Sequence, residues 1–378
     1  MKFVIAPDSF KGSLTAQQVA VAIKTGLQRV FPNADYDLIP IADGGEGTVA
    51  ALVAATGGQL LSVLAHDPNG KRVTARYGIL GDGETAVVET AAASGIQYLD
   101  STSDPLTFDT YGTGELIKAA LSRGVRRIII GLGGSGTTDG GSGIIRALGG
   151  RFLNRDGNEL PAGGGALSNL DYLDLNRLDP QLKNVKLILA SDVTNPLTGE
   201  NGAAPVFAPQ KGATPSVVVK LAAALRHYGE VIATTTGRQV ATMPGAGAAG
   251  GLGAGFLAFT NAEIRSGIDV VLRASHFAKR VQDADFVITG EGQLDYQTRF
   301  GKAPYGVAKA TKQSSPQTRV IAIAASLGDR VTELYDDQLI DVIFASQTRV
   351  KPLGQAMKDA ANDLTMTAES VGRLIKIC

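Results

Sequence analysis

The chain has 378 residues, with 36 lysines and arginines against 36 aspartates and glutamates, and 44% of it is apolar. This balance leaves no net field to draw it to nucleic acid or to an acidic membrane, and the length predicts about two domains with a large core. The single cysteine, Cys378, excludes an internal disulfide and a cysteine-rich metal site, which fits a reducing cytoplasm.

The apolar part of Met1–Asp8 is too short for a signal peptide and reads as a first strand, Phe3–Ala6. A polar loop, Pro7–Ser13, follows. Thr15 and Gln18 then have capping-box spacing, and Val19, Ala22, Ile23, Gly26, Leu27 and Val30 recur at helical intervals. A second strand, loop and helix run from Tyr36–Ile41 through Ala42–Thr48 to a stop at Gly57-Gly58. Beyond residue 62 the units become irregular, with long Gly- and Pro-rich loops. Gln239–Ala262 is uncharged, but Pro244 and six glycines argue for a buried loop over a membrane span. His66, His227 and His276 are widely spaced, form no zinc-ligand pattern and read as core or surface residues.

The alternation resumes at Asp285–Thr289. Helices are predicted near 304–312 and 330–336, strands at Arg319–Ala324 and Asp341–Ala345, and a closing helix from about Gly354 to Ile375. The expected architecture is α/β: residues 1–62 and 283–378 form a doubly wound, Rossmann- or flavodoxin-like parallel-sheet domain. Residues 63–282 form an inserted α/β domain.

In open parallel sheets ligands bind beyond the carboxyl ends of the strands, so loops that directly follow strands are the places to search. Seven of the thirteen residues from Gly131 to Gly143 are glycine, and the run follows the strand Arg126–Ile130. Such a loop brings backbone N–H groups close to an anion, with Ser135, Thr137 and Thr138 as further donors. Other strand-end loops carry acids: Asp8 beside Ser9 and Lys11; Asp43 and Glu46; Asp139; Asp192 beside Ser191, Thr194 and Asn195; Glu291 and Asp295. Any one of these acids could equally be an N-cap or turn residue. Together they supply what phosphoryl transfer needs: a phosphate cradle, carboxylates for Mg2+, and a proton acceptor. The glycine run holds no lysine and is no Walker A motif, so positive charge must come from Lys11, Lys211 or Lys302, each beside a Gly-, Ser- or Pro-rich loop; a solvated surface position is the default for all three.

Several segments closely resemble the bacterial glycerate kinases of the glycerate 2-kinase type. They are Pro7–Ser13, Ala42–Thr48, Gly131–Gly141, Ser191–Leu197, Phe207–Gly212 and Thr289–Asp295. The resemblance implies ATP-dependent phosphorylation of D-glycerate, usually to 2-phosphoglycerate, by a two-domain α/β enzyme. The oligomeric state stays open.

The chemistry of the residues suggests the roles. Gly133, Gly134, Ser135, Gly136, Thr137, Thr138 and Asp139 are expected at the ATP phosphates, and Ser9, Lys11, Glu46 and Lys302 at the glycerate, with Lys11 also expected as a catalytic cation for the moving phosphoryl group. Glu291 and Asp295 are the expected Mg2+ ligands, and Asp192 is the expected general base, with Asp8 and Asp43 next in line. A cleft between the domains would exclude water. Two rival readings are an NAD-dependent dehydrogenase, from Gly131-x-Gly133-x-x-Gly136 after a strand, and a non-catalytic binding protein for a small acid. Against the former, Thr137–Gly141 interrupts the helix that should begin at the third glycine, and no acid ends a second strand at about 20 residues' distance.

Overall fold

The computed structural model describes residues 1–100 and 103–377, and it is a mixed α/β protein with parallel sheets. In chain order the strands are β1 (Lys2–Ile5), β2 (Asp35–Leu38), β3 (Gln59–His66), β4 (Arg72–Ile79), β5 (Thr85–Glu89), β6 (Arg127–Gly131), β7 (Arg151–Leu153) and β8 (Tyr172–Asp174). They continue with β9 (Lys186–Ala190), β10 (Glu263–Arg265), β11 (Phe286–Thr289), β12 (Gln293–Leu294), β13 (Arg319–Ala324), β14 (Ser326–Leu327) and β15 (Val342–Ala345). Two compact units result. The first takes Met1–Asp43, Ala50–Gly58 and the chain from Ile268 onward, and the second takes Gly44–Val49 and Gln59–Gly267.

The first unit is built on a five-stranded parallel sheet, β15-β13-β11-β1-β2. Counted along the chain within this unit, the order is the doubly wound 2-1-3-4-5, which reverses between β1 and β11. The loops that leave these two strands therefore diverge at the switch point. Phe3, Ile5, Ile288, Ile321 and Ile323 meet Val19, Ile23, Leu27 and Leu364 in one buried cluster. The helix Ala16–Gln28 begins at the expected capping box: Gln18 N–H donates to Thr15 Oγ1, and Thr15 N–H donates to Gln18 Oε1. It packs backbone-close on the closing helix, Leu353–Ile377, at Gly26, where a Cβ would meet the Thr365 carbonyl oxygen at 2.2 Å. The helix expected at 330–336 is a single tight turn, Val331–Tyr335.

The second unit has a six-stranded sheet, β10-β9-β6-β5-β4-β3, in which the first four strands run parallel and β4 and β3 antiparallel. Ile128, Ile130, Leu187 and Leu189 are buried beneath Leu116, Ile117, Leu252 and Phe256, as expected for central parallel strands that read as unbroken apolar runs. Gln239–Ala262, expected as a loop, contains the helical segment Ala248–Phe259, with three left-handed residues, Ala249, Gly250 and Gly251, near its start. Its glycines let backbone touch backbone: a Cβ on Gly253 would lie 2.2 Å from the Gly245 carbonyl oxygen. Tertiary packing here overrides poor helix propensity. Among the described residues, no helix is long and apolar enough to cross a membrane.

Replacing Gly26 by alanine forces a methyl into the Thr365 carbonyl, and overpacking of this kind costs roughly 2–3 kcal/mol. Thermal unfolding of Gly26→Ala should show a lowered midpoint for the first unit, whereas an unchanged midpoint would show that the two helices can part at no cost.

Candidate active site

In the first unit the site residues gather at the switch point. The loop after β1 carries Asp8, Ser9 and Lys11, and the loop after β11 carries Glu291 and, farther on, Asp295. Asp8 Oδ1 accepts from the Ser9 N–H at 2.5 Å, and the Asp8 N–H donates to the Gly290 carbonyl at 2.8 Å, which ties the two loops together. Burial among packed atoms, with Asp43 and then Glu291 as like-charged neighbours, pushes the Asp8 carboxyl up to about 7. Glu291 is also raised, mainly by burial, against the opposing pull of Lys302. Lys302 Nζ lies 3.6 Å from both Glu291 and Asp295, and Lys11 is exposed. Asp43 and Glu291 thus neighbour Asp8, and Lys302 neighbours Glu291.

Asp295 is different. Its Oδ1 caps the turn Tyr296–Arg299 by accepting from the Gln297 N–H at 2.9 Å, and Thr298 closes a capping box back onto the Asp295 N–H. Its carboxylate serves the local turn, so Glu291 is the stronger of the two expected metal ligands. Among the described residues no three His, Cys, Asp or Glu side chains converge to hold a metal by themselves. Mg2+ commonly takes only one or two carboxylates together with water and substrate phosphates, and Asp8, with Asp43 and Glu291 as like-charged neighbours, is chemically suited to that demand.

The second unit places its loops at the carboxyl ends of β5, β6 and β9. The segment Gly44–Val49 is seated there by close backbone contact: Gly133 N–H donates to the Gly44 carbonyl at 3.3 Å, and a Cβ on Gly133 would meet Gly45 Cα at 2.7 Å. Gly44 itself has φ +93°, and a Cβ there would lie 2.8 Å from the Ala190 carbonyl oxygen. Glu89, which sequence reasoning missed, ends β5 and accepts from the Val49 N–H at 2.7 Å, while burial raises its carboxyl. The available signal was an acid at the end of the apolar run Ala86–Val88. Glu46, its like-charged neighbour, is exposed.

The glycine loop is less open than expected. Only Gly133 and Gly134 reach the surface appreciably; Ser135, Gly136, Thr137 and Thr138 are buried. Among the described residues, no backbone carbonyl accepts from the Gly134 or Ser135 N–H, whereas Gly136 donates to Ser94 and Gly140 to Gly250. Gly134 takes φ +72°, a left-handed conformation that costs glycine little. Asp139, expected at the cofactor, is fully buried and braces the loop instead. Its carboxylate accepts from the N–H groups of Gly141, Gly143 and Thr110 and from the Thr110 hydroxyl, at 2.7–3.1 Å. The helix Ser142–Ala147 starts only after this brace, as the interrupted fingerprint implied. Asp192, at the end of β9, is exposed, and its Oδ2 accepts from the Gly267 N–H at 3.4 Å. Lys211, for which a solvated position was the default, is 4% exposed.

The chain matches the model of the glycerate kinase family over residues 3–376. The chain belongs to the glycerate kinase family. It is 48% identical to the glycerate kinase of Bacillus subtilis (strain 168) and 45% identical to the glycerate 2-kinase of Escherichia coli (strain K12), in each case over all of this chain and 98% of the relative. The crystal structure of a Salmonella typhimurium LT2 protein assigned as glycerate kinase 2 superposes with a TM-score of 0.91 at 45% identity, covering all of this chain and 98% of that one. Full-length membership makes this chain a kinase.

Asp8 carries a testable cost. Its carboxyl titrates near 7 in the folded chain and near 3.8 when unfolded, so the folded state is penalised in full above pH 7. As pH falls from 7 towards 3.8, the folded state holds a proton that the unfolded state lacks, and the penalty shrinks. Without divalent cations, Asp8→Asn should therefore raise the unfolding midpoint by roughly 5 °C at pH 8, allowing for the water that a half-buried carboxylate retains. The gain should diminish towards pH 4; a gain independent of pH would remove the electrostatic explanation.

Proposed function

We propose that this chain transfers the γ-phosphoryl group of ATP to the 2-hydroxyl of D-glycerate, with Mg2+, giving 2-phosphoglycerate and ADP. The observation that carries this reading is the family match across residues 3–376, which takes in every strand-end loop described above. The choice of the 2-hydroxyl is supported by the name of the Escherichia coli relative, a glycerate 2-kinase.

In the reaction the hydroxyl oxygen attacks the γ-phosphorus in line, the bond to the bridging oxygen of ADP breaks, and the hydroxyl proton passes to a carboxylate. Asp192 is our candidate for that carboxylate: it is exposed at a strand end, where its Oδ2 also accepts from the Gly267 N–H at the start of the helix Gly267–Ala274. The N–H groups of Gly134 and Ser135 are suited to phosphate oxygens. Asp8, Asp43 and Glu291 would hold Mg2+, which when bound supplies positive charge to the phosphates. Lys302, paired with Glu291, and Lys11, beside Ser9, are suited to the glycerate carboxylate. The dehydrogenase reading is not favoured, because the fold keeps Thr137–Gly141 as a braced turn where a dinucleotide helix would have to start.

A coupled assay with D-glycerate, ATP and Mg2+ should give ADP release, and NMR of the product should show the phosphate on carbon 2. Reduction of NAD without ADP release, or glycerate binding without turnover, would sink the proposal. Asp192→Asn should leave ATP binding within about twofold and lower kcat by at least about a hundredfold, the scale of a lost general base. An unaltered kcat would take Asp192 out of that role.

A further inference from the structure

The turn Pro209–Lys211, closed by Gly212 at φ +88°, sends the Lys211 side chain into the second unit directly beneath the glycine loop. Its ammonium donates to Ser135 Oγ at 3.0 Å and to the Thr137 carbonyl at 2.5 Å. A buried ammonium is costly, so one retained here must do something that an apolar side chain of the same length could not. The desolvation is severe enough to lower the Lys211 ammonium to about 7, against the opposing pull of Asp139.

The surrounding charges form a closed set. Asp139 braces the loop from inside, and Asp109, its like-charged neighbour, is paired with Arg146. Two acids and two cations therefore sit under a loop whose outer edge, Gly133–Gly134, carries none. Beside them, Thr137 Oγ1 and the Tyr228 hydroxyl are buried without hydrogen-bond partners among the described residues. Asp139 fixes the second half of the run, Gly140–Gly143, and Lys211 fixes the first half through Ser135 and Thr137. Among the described residues, no other charged side chain holds Ser135.

We propose that Lys211 is a positioning residue for nucleotide binding: by holding Ser135 and the Thr137 carbonyl from below, it keeps the N–H groups of Gly134 and Ser135 turned outward to receive phosphate oxygens. The inference rests on the kinase reading for the identity of the ligand, but not for the loop's shape. Lys211 does not touch the nucleotide, and its effect passes through the backbone.

Hydrogen exchange and kinetics of Lys211→Met test it. Methionine fills a similar volume without charge, so the variant should fold, with a midpoint equal to or above that of the parent chain. The amides of Gly133 and Gly136, which donate to the Gly44 and Ser94 carbonyls, should exchange at least about tenfold faster in the ligand-free protein, with the helix Ala16–Gln28 unchanged as internal control. KM for ATP should rise at least about tenfold, while KM for glycerate moves less than about twofold. Ser135→Ala should raise KM for ATP in the same direction, and the double variant should be no worse than Lys211→Met alone, because the tie that Ser135→Ala removes is already lost in Lys211→Met.

Unchanged exchange in the loop, a KM change confined to glycerate, or effects that multiply in the double variant would each overturn the assignment. Should Lys211→Met fail to fold, Ser135→Ala leaves every buried charge in place and decides alone: an unaltered KM for ATP overturns the proposal. Failure of the kinase reading would appear separately, as absence of ADP release by the parent chain, with the exchange experiment still readable.

Discussion

Backbone has to touch backbone where the strand-end loops of the second unit meet, and the rest of its site follows from that constraint. Gly44, Gly131 and Gly133 are packed so closely that any side chain at these positions would occupy space already filled by peptide atoms. A loop seated this way cannot drift, because its position is set by hard contact and by the Gly133–Gly44 hydrogen bond. Glu89 completes the seat by accepting from the start of the following helix at Val49, where a carboxylate also meets the helix dipole favourably. The entropy lost in ordering so many glycines is offset by geometry no other residue permits.

Charge is handled in opposite ways by the two units. At the switch point of the first, burial and the neighbouring charges of Asp43 and Glu291 raise Asp8, and Lys302 pairs with Glu291, so the acids there outnumber the cation beside them. Under the glycine loop of the second, the acids Asp109 and Asp139 lie beside Arg146 and Lys211, so the cluster carries its own cationic partners. A cluster with an excess of acid suits a counter-ion; one that carries its own partners holds a shape. The first arrangement suits a binding function and the second a scaffold, which explains why an acid at the switch point and an acid inside the loop do different work despite similar sequence surroundings.

That difference was invisible in the sequence, where Asp43-Gly44-Gly45 and Asp139-Gly140-Gly141 look alike. The elements were legible because their signals are local: the Thr15–Gln18 capping box, the apolar strands and the position of the strand-end loops depend on neighbours within a few residues. Which side chains a loop turns outward depends on partners such as Thr110 for Asp139 and Ser135 for Lys211, 29 and 76 residues away. No spacing rule reports such pairs. The same limit explains Asp295, an N-cap that reads as a ligand, and Glu89, a ladder-end acid that reads as ordinary strand. The helical segment at 248–259 was missed for a related reason: its glycines are poor helix formers alone and become acceptable only against the close backbone of Gly140 and Gly245.

The absence of a lysine within the glycine run then takes on a physical meaning. In a P-loop the lysine follows the glycines and reaches the phosphates itself, so one residue supplies both charge and contact. Here the run ends in an acid-braced turn that leaves no place for such a residue, and the nearest buried ammonium arrives from a turn far along the chain. It comes from below and is spent on the protein's own Ser135 and Thr137. In the proposed mode, contact with an anion is left to backbone N–H groups at Gly134 and Ser135, while charge has to come from residues outside the loop. Shape and charge, combined in one side chain in the P-loop, are divided here between separate residues.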